Sequence, residues 1–277
     1  MSTSFLAPAM MIASGSIHAV VNAILKGGKD KMAGRAIIDG SSAVILLPAT
    51  LLVPLPEGAW GWLATTAVLH SLYLFALVRA LETSDFSAAY PILRGTAPLI
   101  TAALAIGVFG EPASPRELIG IGCIGAAMFV MVSGRHIEAR GLAWALFTGV
   151  MIASYTVIDA QGVRAAPTPM SFIVWMFVLM GSVTVTMFGL VSRGAIFASA
   201  VKQWRPGVIA GALSILTYGL ALSAFALGPT APLAALRETG MVTALLIATF
   251  VLKERVTPAR AVGVLGILAG AVLILTR

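Results

Sequence analysis

Apolar residues in this chain come in long blocks, each closed by a short cluster of charged, proline or glycine residues. Ten blocks can be traced. They run from about Phe5 to Leu25, Ile37 to Leu55, Trp60 to Leu81, Ser87 to Phe109 and Leu118 to Ser133. They continue from Leu142 to Asp159, Ser171 to Val191, Gly207 to Leu227, Ala231 to Leu252 and Arg260 to Leu275. A helix of about 20 predominantly apolar residues crosses a bilayer. With connections this short, only helices can satisfy their own backbone in lipid. The pattern therefore predicts an all-α membrane protein of ten spans, with the fifth and tenth near the lower length limit.

The blocks repeat. Displacing the chain by 143 positions sets Leu93 on Leu236, Arg94 on Arg237, Thr96 on Thr239, Glu111 on Glu254, Pro115 on Pro258 and Gly120 on Gly263. Repetition at about half the chain length signals a duplicated architecture. The seam falls at Gly134 to Arg140 and gives halves of 1–134 and 135–277. Five spans is an odd number, so two similar halves on a short seam must cross the membrane in opposite senses. The expected fold is two inverted five-helix repeats.

Composition agrees with this class. Hydrophobic residues make up 59% and charged residues 10%, with mean hydropathy +0.99; soluble domains carry about 25% charged residues. The net charge of +7 does not point to nucleic acid, because the basic residues sit in short loops. Of the 18 Lys and Arg, thirteen fall in loops 1–2, 3–4, 5–6, 7–8 and 9–10. Only Arg116, Arg164 and Arg277 fall on the other side. Basic loops stay in the cytoplasm, which would place both termini outside. Cys123 is alone and makes no disulfide within the chain. Met1 to Ala9 holds no Lys or Arg, so the pattern of a cleavable leader is not expected.

The two remaining arginines, Arg94 and Arg237, lie inside apolar blocks. An arginine at such depth costs roughly 3 kcal/mol on insertion scales, so a reason for it is expected. A guanidinium suits a carboxylate or phosphate on a substrate. The alternative is a structural ion pair or snorkelling to the interface. Glu238 is a candidate proton carrier or a counter-ion. Ser14, His18 and Asn22 share one face of the first helix. A displacement of 137 sets Tyr155 on His18 and Asp159 on Asn22, so a polar stripe faces a cavity in both halves, with Asp159 at the interfacial end. His70, Tyr73 and Tyr218 are cavity aromatics or members of an interfacial belt. Asp39 is read as interfacial or as serving a helix N-terminus, and Glu111 and Glu254 as capping or bracing loops at span ends. Pro91, Pro98 and Pro232 are expected to interrupt or open the fourth and ninth helices. Gly120, Gly125, Gly266 and Gly270 are expected to let the fifth and tenth helices pack closely.

These residues resemble the drug/metabolite transporter superfamily, EamA family. The likeness rests on the duplicated ends of each half: a fourth or ninth helix, Glu111 or Glu254, Pro115 or Pro258, then a short helix containing Gly120 or Gly263. His18-Ala-Val-Val-Asn22-Ala-Ile-Leu-Lys26 and Ala89-Tyr90-Pro91-Ile92-Leu93-Arg94-Gly95 resemble one branch of it. The resemblance implies a ten-helix carrier with a cavity lined by helices one, three, four, six, eight and nine, and with both termini in the cytoplasm, opposite to the loop charges.

The function expected is a secondary active exporter or exchanger of a small polar, anionic or zwitterionic metabolite, working by alternating access in a bacterial plasma (inner) membrane. Its substrate-binding residues would be Arg94, Arg237, His18, Asn22, Tyr155, Tyr73, Tyr218 and Glu238. No cofactor, metal or nucleic acid is expected, and the protein would act in the bilayer as monomer or homodimer. The alternatives are an intramembrane enzyme or a membrane scaffold. An enzyme lacks support in the motifs: there is no H-E-x-x-H, G-x-S-x-G or G-x-x-x-x-G-K-[ST].

Overall fold

A computed structural model describes residues 3–27, 31–134, 137–251, 253 and 256–276. Among these residues there are helices and no strand. The first half holds α1 (Thr3–Gly27), α2 (Lys31–Leu46), α3 (Trp60–Thr83), α4 (Phe86–Gly107) and α5 (Pro115–Val130). The second holds α6 (Ala139–Ala165), α7 (Pro169–Val191), α8 (Ala195–Lys202), α9 (Trp204–Leu227), α10 (Thr230–Leu236), α11 (Gly240–Leu246) and α12 (Pro258–Leu275). Nine stretches among the described residues are long and apolar enough to cross a membrane, α10 and α11 counting together. α5, with 16 residues, is not among the nine; it is about 24 Å long at 1.5 Å per residue.

The packing is symmetric between the halves. α1 lies on α9 as α6 lies on α3, and α4 lies on α6 as α11 lies on α1. α2 pairs with α7, and α5 with α12. Such an exchange of equivalent helices is the packing of a two-fold relation, and five spans per half make it an inverted one.

Glycines set the closest crossings. A Cβ on Gly120 would run into the carbonyl oxygen of Gly270, and the reverse holds for Gly270. The two backbones therefore touch at this point of the α5–α12 seam, with Ile124 and Ile274 packed beside it. Gly15 of α1 and Gly240 of α11 meet in the same way. Gly125 has a different role from the one expected, since it packs against Leu99 of α4.

Three features differ from the sequence reading. α8 lies in what reads as a loop; Gly194, at φ +81°, makes the turn into it, and Ile196 is buried beside Ala33 and Ala36 of α2. Eight residues are too few for periodicity to show. Second, α4 runs unbroken through Pro91 and Pro98. Third, Pro232 opens the ninth span as expected, in the first turn of α10, where a missing N–H is tolerated, but the span also changes geometry further on. The change is a 3₁₀ turn at Arg237–Thr239.

Candidate functional site

The 3₁₀ turn is where the site begins. With about three residues per turn, successive side chains point roughly 120° apart. Arg237 thus turns toward α9, where its Cζ stands 5.2 Å from the ring centre of Tyr218. Glu238 turns toward α4, where Nε of Arg94 lies 2.9 Å from its Oε2. That N–H does not align on the oxygen as a hydrogen bond, so the contact is ionic. All three side chains belong to buried residues. A buried arginine cluster with a single carboxylate carries one uncompensated positive charge.

Arg94 also faces a cavity of about 460 Å³ between α1, α4 and α11. His18 and Asn22 project into it from α1, and Tyr90 and Arg94 from α4. Each pair is spaced by four, one helical turn, so each forms a single edge. Asn22 Nδ2 donates to the Tyr90 hydroxyl at 3.2 Å, which ties the two edges together. Met241, Ala244, Leu245 and Ala248 form the opposite wall. Asp85, in loop 3–4, and Arg260, in the first turn of α12 just after loop 9–10, also line the cavity. The cavity therefore reaches the face that carries the basic loops. Ser14, the third member of the α1 stripe, is elsewhere: its carbonyl accepts from the Thr217 hydroxyl and seals α1 on α9.

The other expected site residues gather behind Arg237. Asp159 is fully buried. Its Oδ1 accepts from the Thr66 hydroxyl, its Oδ2 accepts from the Tyr218 hydroxyl at 2.5 Å, and His70 Nε2 lies 3.3 Å from Oδ2. The His70 ring stacks on Tyr155 with centres 3.9 Å apart, and Tyr73 meets Tyr155 edge-on. Tyr155, Tyr73, Tyr218, Arg237 and Glu238 do not line the cavity. Asp159 is not interfacial, because α6 runs on to Ala165 and leaves it well over a turn inside. Asn22 and Asp159 hold matching repeat positions in opposite settings, one facing the cavity and one closed. Asp39 is also settled within its helix, in an ion pair with Arg35 at 2.8 Å.

A third cluster lies on the far face. Glu111, between α4 and α5, accepts from Thr230 N at 2.6 Å, Thr230 Oγ1 at 2.7 Å, Gln161 Nε2 at 3.1 Å and Arg164 at 2.5 Å. Arg164 in turn donates to the carbonyl oxygens of Phe225 at 2.8 Å and Gly228 at 2.7 Å. Burial pushes the Glu111 carboxyl up, but the bonds from Arg164 and Thr230 outweigh it and hold the group below the ordinary carboxylate range. Glu111 is a brace, as expected, and it braces one half against the other. The role of Arg164 was missed. The signal for it was its isolation, one of three basic residues on that side. Glu254, the counterpart of Glu111, lies outside the described residues. Among the described residues no group of three His, Cys, Asp or Glu could hold a metal ion.

The fold and these clusters define a duplicated ten-helix integral membrane protein with a cavity where its halves meet. The model of the EamA-like transporter family matches residues 7–133 and again 139–276. The chain belongs to that family, and so to the membrane transporters of the drug/metabolite superfamily. A solved structure titled only "Crystal structure of protein" is 15% identical, with a TM-score of 0.71 over 99% of this chain and 96% of that one. That likeness shows the fold. No curated protein matches the sequence.

Proposed function

We propose that the protein is a secondary active carrier, exporting or exchanging a small anionic or zwitterionic metabolite by alternating access in a bacterial plasma membrane. The observation that carries this is Arg94. It is buried, tied to the other half through Glu238, and still presented to a cavity that reaches the face of the basic loops. On the opposite face the Glu111–Arg164–Thr230 cluster joins the halves. An anion entering the cavity competes with Glu238 for Arg94 and so acts on the contact between residues 1–134 and 135–277. Release of the far cluster as the cavity closes would complete the exchange. His18, Asn22 and Tyr90 orient the solute at Arg94. Arg237, Tyr218, Tyr155 and Tyr73 form the support behind it. If basic loops mark the cytoplasm, this conformation faces inward.

The test is flux in proteoliposomes against a panel of organic acids, amino acids and phosphonates. Labelled solute should enter faster when the lumen is preloaded with the same solute, be recovered chemically unchanged, and stay out with Arg94→Ala. Recovery of an altered solute would favour an enzyme. Equal flux in the variant would remove Arg94 from the site.

A further inference from the structure

We infer that the solute is a monoanion with an apolar body and no ammonium group. This deepens the carrier reading of the same cavity and rests on it. The charge count comes first. Arg94, Arg237 and Glu238 sum to one positive charge, and of the three only Arg94 lines the cavity. The other charged residues of the lining, Asp85 and Arg260, cancel in the count, so one negative charge on the solute balances the site.

An ammonium group also lacks a place. Glu238 is committed to Arg94 and does not line the cavity. The one carboxylate that does is Asp85, the residue just before the first turn of α4. Nine residues separate it from Arg94, about 13 Å of helix rise. In an α-amino acid the nitrogen and the carboxylate oxygens lie within roughly 4 Å. A carboxylate on Arg94 therefore keeps its own ammonium far from Asp85, against His18, Asn22 and Tyr90 or the apolar wall, none of which supplies a carboxylate. Desolvating an unpaired cation there is unfavourable.

The wall says what the rest of the solute is. Met241, Ala244, Leu245 and Ala248 recur at helical spacing on one face, and Val264 and Met131 extend it. These side chains offer no hydrogen bond and favour a hydrocarbon or ring. The volume, about 460 Å³, lies in the lower part of the range of about 300–1,000 Å³ for ligand pockets.

Calorimetric titration of the purified protein tests this with four probes: phenylpropanoate, phenylalanine, phenethylamine and succinate. Phenylpropanoate should bind at least about tenfold tighter than each of the others, a margin within reach of a single mismatched group. Arg94→Gln should abolish its binding. Should that variant not fold, Ala244→Leu narrows the wall and should weaken phenylpropanoate while leaving acetate unchanged. Phenylalanine or succinate binding as well as phenylpropanoate overturns the inference, as does no binding by any probe or indifference to Ala244→Leu. Binding is read here without flux, so a negative result leaves the carrier reading standing. Intact binding without flux would sink the carrier reading alone.

Discussion

Arg94 does not meet its own repeat counterpart, Arg237; it meets the neighbour of that counterpart, Glu238, at 2.9 Å. Two guanidiniums and one carboxylate thus lie buried at the junction of the halves, Arg94 against the carboxylate and Arg237 against the Tyr218 ring. The three charges are unequal in consequence. Removing Glu238 leaves two buried cations unbalanced, whereas removing one arginine leaves a one-to-one pair. Glu238→Gln should cost about 3–5 kcal/mol, as for a broken buried ion pair. Arg94→Gln and Arg237→Gln should each cost less. Unfolding followed by tryptophan fluorescence in detergent gives the order, and an arginine variant less stable than Glu238→Gln would contradict this charge balance.

Asp159 should be the most sensitive carboxylate outside that junction. Asp159→Ala strips the acceptor from the buried hydroxyls of Thr66 and Tyr218. Tyr218→Phe removes one donor to a charged acceptor, worth about 1.5–3 kcal/mol, and keeps the ring under Arg237. Tyr218→Leu removes both. The expected order of stability is wild type, Tyr218→Phe, Tyr218→Leu, Asp159→Ala. Equal melting temperatures for Phe and Leu at this position would show that the Arg237 contact contributes nothing.

The spans could be read from the chain because lipid imposes one rule on every helix, and Arg94 stood out for breaking it. Its partner could not be read. The approach of α10 to α4 follows from the inverted packing, which no local pattern encodes. Asp159 misled for a related reason. A carboxylate followed by Gln161 and Arg164 lowers local hydropathy and reads as a span end, yet α6 continues to Ala165. The groups that compensate it, Thr66 and Tyr218, come from α3 and α9, far away in sequence. Arg164 was visible only as a loop charge, and its acceptors on Glu111, Phe225, Gly228 and Thr230 lie between 53 and 66 residues away in sequence.

Glycines offer a test of the packing that does not involve charge. Gly15→Ala and Gly240→Ala each put a methyl against the backbone of the facing helix. Overpacking of this kind costs about 1–3 kcal/mol. At Gly122 and Gly219 a Cβ meets nothing within 4 Å. Alanine there should be neutral or stabilising by up to about 1 kcal/mol through helix propensity. Thermal unfolding of the four variants compares these directly, and equal effects in all of them would argue against backbone contact between α1 and α11.

The Glu111 cluster should give the protein an acid-sensitive face. The folded-state carboxyl lies below its ordinary range, so protonation favours the unfolded or opened form. The stabilisation is complete above the ordinary carboxylate range and is lost as pH falls through the depressed folded value. Glu111→Gln removes the charged acceptor of Arg164 and should cost about 1.5–3 kcal/mol near neutral pH. The gap between wild type and variant should close as the solution is acidified, because the wild type loses the same charge. Melting temperatures of both proteins across a pH series provide the measurement. A gap that stays constant into the acid range would mean that Glu111 acts through shape and hydrogen bonding alone, and that its charge does not hold the halves together.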